Sequence, residues 1–346
     1  MERVSPSQYS SMKNCSYKSI LARAFNRKTL LPISPNAYFG TVMHKVLERL
    51  NKIGTMDESL FNSVFSDEIS AMEENLKKEG YEFFVPLQKT VQNFGMRKIL
   101  LKRHLKSEVD SSNPPSDCKP QSEQWISTKD DLVGGYIDLI LESTTYTELI
   151  DLKTGAITRD LLDDSGELFT EIKPEYSDQL KLYAYCYFES RGRYPDKLTI
   201  VDLEKKRFDV SFTHEECVIL YNEAKTLLKA INEAIKNQIF TPLISEENCK
   251  YCLYRPACLY YNSYIENNTP FNDVIGNLET VIKHQNGNIS ISIKNNCGVY
   301  TVTGIETEEY SELLLRQGNK IGIYNLSKEA KEMVYSSRKT TVIYER

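Results

Sequence analysis

Apolar residues recur every three or four positions along much of this chain and alternate or run together in shorter stretches elsewhere, so helices and strands are mixed in one sequence. Tyr9, Met12, Ile20, Leu21 and Phe25 predict a capped helix from Ser5 to about Arg27, followed by an extended stretch over Lys28–Ile33. Ser34 at the cap with Pro35 in the first turn starts a second helix, whose stripe is Tyr38, Val42, Met43, Val46, Leu47 and Leu50. Further helices are predicted over Glu58–Lys78 and from Val85 to about Ser107, and the polar, proline-bearing run Asp110–Gln121 predicts a loop. Strand-like runs follow at Gln124–Thr128, Tyr136–Leu141 and Glu148–Leu152, the last two joined across Ser143–Tyr146 as a hairpin. A helix over Glu175–Glu189, short strands at Leu198–Leu203 and Arg207–Phe212, and a long helix over His214–Lys236 complete this part.

After about Ser263 the pattern changes. Val274–His284, Ile289–Lys294, Val299–Ile305, Lys320–Asn325 and Thr340–Tyr344 predict strands around Gly- and Asn-rich turns, with one short helix at Glu308–Leu315. The expected fold is α/β, a mixed sheet flanked by helices over residues 1–262, with a small all-β, OB-like domain over 263–346. Tyr300, Tyr324 and Tyr344 would be able to stack bases there, yet nine Lys/Arg against ten Asp/Glu in residues 265–346 give no basic signal. Single-strand binding and protein docking both stay open for this domain.

The hairpin carries the chemistry. Asp151 and Lys153 are two apart and share a face on a strand, and Asp138 lies on the strand before them. Two carboxylates converging on one point suit a hard divalent cation, Mg²⁺ or Mn²⁺, and a lysine beside them adds the positive charge that phosphodiester hydrolysis uses. Among the eight cysteines, Cys249-x-x-Cys252 followed by Cys258 has the short spacing by which a loop wraps a metal centre. The chain shows no hydrophobic leader and no run long enough to span a membrane, so a cytoplasmic, reducing setting is expected, where disulfides are rare. A net charge of −5 argues against nonspecific coating of nucleic acid while leaving room for a local positive groove. No G-x-x-x-x-G-K-[ST] phosphate loop is present, so the chain carries no evident ATPase motor.

Four elements occur in a fixed order: Gly40–His44 as G-x-x-x-H, Gly135–Asp138 as G-x-x-D, Asp151–Gly155 as D-x-K-T-G and Gln179–Tyr183 as Q-x-x-x-Y. In these the chain resembles the PD-(D/E)XK nuclease superfamily over about its first three quarters. The resemblance is to the RecB-like branch with an iron–sulfur cluster, which includes the AddB nucleases and the CRISPR-associated exonucleases. It implies that His44, Asp138, Asp151 and the Leu152 carbonyl hold Mg²⁺ or Mn²⁺, and that Lys153 assists the attacking water. It also implies that Gln179 and Tyr183 contact the DNA backbone near the scissile phosphate. Glu123 occupies a place where some relatives carry a further acid. Cys15 would join Cys249, Cys252 and Cys258 around a [4Fe–4S] cluster, with structural Zn²⁺ the alternative; Ser16 stands where the family often has proline.

The implied activity is a metal-dependent deoxyribonuclease, an exonuclease on single-stranded DNA or DNA ends in repair, recombination or defence, working beside a separate helicase or ATPase. The alternative is a noncatalytic DNA-binding scaffold subunit of a helicase–nuclease complex. Every catalytic position is filled, which favours the enzyme.

Overall fold

The helix predicted over Ser5–Arg27 is interrupted at Cys15, whose extended backbone (φ −157°, ψ 98°) separates α1 (Pro6–Asn14) from α2 (Ser16–Ala24). The computed structural model describes residues 1–53, 57–106, 118–162, 168–268 and 271–346. The break matters for the architecture, because one compact unit comprises Met1–Lys13 and Ser34–Ile239 and the other Asn14–Ile33 and Phe240–Arg346. The sequence-based boundary at 262/263 thus differs from the compact units: residues 14–33 and 240–262, cysteine loop included, group with the C-terminal region.

In the first unit, α3 (Pro35–Ile53) and α4 (Glu58–Lys78) lie where the apolar stripes predict, and Asp57 caps α4 by accepting the Leu60 N–H at 2.7 Å. The predicted Val85–Ser107 helix is divided into α5 (Leu87–Thr90) and α6 (Phe94–Lys106), with Asn93 left-handed at φ 54° between them. Ser107 and residues 110–117 of the predicted loop lie outside the described residues, and β1 (Lys119–Ser127) begins inside that predicted loop. β2 (Gly134–Glu142) and β3 (Thr147–Leu152) form the predicted hairpin. A second hairpin, β4 (Thr158–Leu162) and β5 (Leu168–Ile172), was not foreseen. Then come α7 (Pro174–Arg191), β6 (Lys197–Val201), β7 (Arg207–Asp209) and α8 (His214–Asn237).

The sheet runs β1-β2-β3-β6-β7, and β6 is parallel to β3 while every other neighbour is antiparallel, so the sheet is mixed. A parallel neighbour requires a crossover, and α7 supplies it. Leu180, Leu182, Ala184, Cys186 and Tyr187 are buried along α7, and Thr213 and Glu216 close a capping box on α8.

The second unit contains α2, α9 (Glu246–Cys249), α10 (Leu259–Asn267) and an all-β region. Its strands are β8 (Val274–Lys283), β9 (Ile289–Asn295), β10 (Gly298–Ile305), β11 (Lys320–Tyr324), β12 (Ser327–Lys328), β13 (Val334–Ser336) and β14 (Val342–Glu345), with α11 (Tyr310–Leu315) before β11. They form one curled sheet in the order β12-β13-β10-β9-β8-β11-β14, over a core that includes Val274, Leu278, Ile291, Val302 and Ile321. The all-β character agrees with the sequence pattern. Of the three tyrosines expected to stack bases, two are not available for it, since Tyr300 is 2% exposed and Tyr324 fully buried; Tyr344 is half-buried and donates its hydroxyl to Leu30 O at 2.6 Å. No helix among the described residues is long and apolar enough to cross a membrane.

Asp130, in the turn before β2, shows how polar contacts lock the first unit. It accepts from Tyr221 Oη at 2.5 Å, Thr128 Oγ1 at 2.8 Å, Lys225 Nζ at 3.0 Å and the Leu132 N–H at 3.2 Å. Burial alone would raise its carboxyl, but the hydrogen bonds outweigh it and hold it well below the usual carboxylate range. A depressed folded-state pKa contributes stability that is present above the unfolded value of about 3.9 and is lost as pH falls. Asp130→Asn should therefore lower the denaturation midpoint at neutral pH, and the gap to the wild type should close as pH drops from about 5 towards 2. Urea titrations at several pH values would show this convergence.

Candidate active site

The site forms where the β2–β3 ladder ends. The last pair of the ladder is Leu139 with Ile150, and the next step along that register sets Asp138 opposite Asp151. Instead of continuing the ladder, Asp138 Oδ2 accepts the Leu152 N–H at 2.6 Å. Asp151 Oδ1 accepts Gln179 Nε2 at 2.8 Å, and Gln179 Oε1 accepts Lys153 Nζ at 3.1 Å. Lys153 Nζ also lies 2.8 Å from Asp151 Oδ2, so each oxygen of this buried carboxylate faces a polar nitrogen. The ammonium stands 4.8 Å from the centre of the Tyr176 ring, a partner that only its place one turn before Gln179 on the helix could have suggested.

Two glycines let the surrounding elements close on this point. A Cβ at Gly40 would meet Thr154 Oγ1 at 3.3 Å, so α3 packs tightly against the turn that follows Lys153. His44, one helical turn further on, thereby comes within electrostatic reach of Asp151 and Lys153. A Cβ at Gly135 would stand 3.0 Å from Tyr183 Oη, which donates to Tyr136 O at 2.6 Å. The spacing of G-x-x-x-H and G-x-x-D is thus the spacing of close packing followed by a polar group.

Burial pushes Asp138 up to about 6, with Glu123 adding to it, against the Leu152 N–H and Lys153. Burial likewise pushes Asp151 up to about 6, reinforced by the charge of Asp138 and opposed by Lys153 and His44. Burial and Lys153 hold His44 below its ordinary value, which keeps the imidazole in the neutral form that binds metals. Glu123 falls opposite Asp138 between the pairs Ser122–Leu139 and Gln124–Ile137, with a left-handed backbone at φ 50°. The acid marked from sequence is therefore beside the site.

Gln179 and Tyr183 are 7% and 2% exposed, with their polar atoms bonded inside the protein. In this geometry they brace the site from within, which differs from the direct strand contact expected of them.

Cys15, Cys249, Cys252 and Cys258 line one small cavity in the second unit, together with Tyr17, Lys18 and Arg255. Burial raises the thiols of Cys249 and Cys252 and pushes that of Cys258 up to about 12. Arg255 fixes the loop: its Nη1 donates to the carbonyls of Cys249 at 3.0 Å, Lys250 at 2.7 Å and Cys252 at 2.9 Å. Its Nε donates to Asp273 Oδ2 at 2.7 Å. Cys118, Cys186, Cys217 and Cys297 take no part in the cavity.

A mixed sheet whose hairpin end gathers Asp138, Asp151, Lys153 and Gln179 defines an α/β protein with a carboxylate–lysine site. The model of the PD-(D/E)XK nuclease superfamily matches residues 3–259, and the chain belongs to that superfamily, whose members are nucleases. No curated protein matches the sequence. Among solved structures, a protein from Eubacterium rectale provisionally named an exonuclease is 13% identical, with 72% of this chain and 87% of that chain covered and a TM-score of 0.45. A murine DNA-binding protein bound to double-stranded DNA is 8% identical, with 66% and 94% covered and a TM-score of 0.21.

Superfamily members generally use divalent cations such as Mg²⁺. The residues present fit one: the carboxylates of Asp138 and Asp151 are hard oxygen donors set opposite each other where the ladder ends, and His44 nearby is held below its ordinary value, in the neutral form that binds metals. As they stand, no three His, Cys, Asp or Glu side chains among the described residues are drawn together closely enough to hold a metal ion.

Tyr183→Phe tests the brace. Losing the hydroxyl leaves the Tyr136 carbonyl without its donor, and the protein should lose about 1–2 kcal/mol of stability in a denaturant titration.

Proposed function

We propose that the chain is a Mg²⁺- or Mn²⁺-dependent deoxyribonuclease that digests single-stranded DNA or DNA ends. The observation that carries this reading is the pair of carboxylates at the end of the β2–β3 ladder, Asp151 buried and Asp138 half-buried, with Lys153 against Asp151. Asp138, Asp151, His44 and the Leu152 carbonyl would hold the cation, which when bound supplies Lewis-acid polarisation of the scissile phosphate. Gln179 bridges the Asp151 carboxylate and the Lys153 ammonium through its amide, so neither turns away when substrate enters. Lys153 places positive charge where negative charge develops on the phosphate and orients the attacking water.

Incubated with end-labelled single- and double-stranded DNA plus Mg²⁺ or Mn²⁺, the wild type should degrade the label and EDTA should stop it. Asp151→Ala and Lys153→Ala should each lose activity by at least about 10²-fold. Full cleavage by either variant would remove the assignment, and no cleavage by the wild type would favour the noncatalytic scaffold. A second readout does not need turnover. Asp138→Asn relieves the buried repulsion, so without metal its melting temperature should exceed that of the wild type, and Mn²⁺ should raise the wild-type value alone.

For the second unit we infer a [4Fe–4S] cluster on Cys15, Cys249, Cys252 and Cys258. Support comes from their shared cavity and from the cost of burying thiolates without a compensating cation. Protein purified anaerobically should be brown and contain iron, and Cys252→Ser should lose both colour and iron. Colourless wild-type protein carrying zinc would establish the Zn²⁺ alternative.

A further inference from the structure

Trp125 on β1 stands directly opposite Tyr136 on β2. The two rings are 5.0 Å apart at 68°, and the residues remain 43% and 61% exposed. Large aromatic residues are usually covered, and Tyr300 and Tyr324 of the second unit's sheet are. A cross-strand aromatic pair helps its hairpin whether or not its faces reach water. Stabilisation therefore explains the pairing without explaining the exposure.

Two further contacts give the pair a direction. Arg3 places its guanidinium carbon 5.0 Å over the indole ring and is anchored by Asp131 at 2.8 Å, so one indole face is held by a cation. Tyr136 is fixed to the candidate active site by its backbone, since its carbonyl takes the Tyr183 hydroxyl at 2.6 Å. It precedes Asp138 by two residues, roughly 7 Å along a strand.

We propose that Trp125 and Tyr136 form a stacking platform for unpaired bases of a single DNA strand whose neighbouring phosphate lies at Asp138 and Asp151. The proposal rests on the nuclease reading of that site and adds what selects its substrate. An aromatic face accepts any base, so the platform is indifferent to sequence. A paired base has both faces engaged in the duplex, so the platform favours unpaired strands or frayed ends. Arg3 adds positive charge beside a polyanion.

Trp125 is the only tryptophan in the chain, so its fluorescence reports this place alone. In EDTA, titration of the wild type with a short oligothymidylate should quench the emission saturably, and an abasic strand of equal length should not. By anisotropy of the labelled strand, Tyr136→Ala should bind about tenfold more weakly, and Trp125→Phe should bind close to the wild type. Both side chains are exposed outside the core, and unchanged thermal melting would confirm that the variants are folded. Equal quenching by the abasic strand, or unchanged affinity in Tyr136→Ala, overturns the platform.

With Mn²⁺ restored, Tyr136→Ala should show a raised KM on single strands and a retained kcat. A wild type that is quenched by oligothymidylate but never cleaves would overturn the nuclease reading and leave the stacking result intact. A wild type that cleaves with a KM unchanged in Tyr136→Ala would do the reverse.

Discussion

Like charges on facing strands repel, and the first unit is organised around holding two of them together. Asp138 and Asp151 meet where the hairpin ladder stops, and burial adds a desolvation cost to their repulsion. The Leu152 N–H, the Gln179 amide and the Lys153 ammonium oppose that cost, each a contact of about 1.5–3 kcal/mol where a charge is involved. They do not cancel it, because both carboxyls remain pushed up to about 6. A site that opposes folding is held by the rest of the domain, and a ligand that binds only the folded form gains what the repulsion had cost.

The four motifs are contact surfaces of one another. Gly40 of the first touches Thr154 of the third, Gly135 of the second leaves space for Tyr183 of the fourth, and Gln179 of the fourth bridges Asp151 and Lys153 of the third. Their order in sequence follows from α3 and α7 closing on the hairpin. A substitution at a glycine would therefore act on the carboxylates through packing, with no polar atom changed.

Much of this was legible because it depends on short-range pattern. The hairpin, α3, α4 and α8 follow from periodicity and capping residues, and the acid–lysine pair meets because two positions on an extended chain face the same way. What the sequence could not convey depends on where the chain goes next. Nothing in the apolar spacing around Cys15 marks the extended residue that divides α1 from α2. The two- and three-residue strands β12 and β13 are too short to show alternation. The burial of Tyr300 and Tyr324 escapes the sequence for a related reason: aromatic residues on a strand look alike there, whether they fill the sheet's core, as Tyr300 does, or stand in solvent, as Tyr136 does.

In the second unit a single buried ion pair sets the geometry of the cysteine loop. Arg255 is 4% exposed and Asp273 1%, and Asp273 is further bonded by the Tyr261 hydroxyl at 2.5 Å and the Asn325 N–H at 2.8 Å. Such a pair adds little net stability over an apolar replacement, so its effect is to fix one arrangement. Here Nη1 gathers three loop carbonyls while Nε and Nη2 reach Asp273 and Asn325, at the start of β8 and the end of β11. The loop backbone is thereby set from the sheet side before any metal is considered. A centre bound by all four thiols would add a different constraint, tying α2, which belongs to this unit despite its place early in the chain, to a loop more than two hundred positions away. Closure entropy grows slowly with loop length, so the consequence lies in where the N-terminal strand of chain is held more than in how much stability is added.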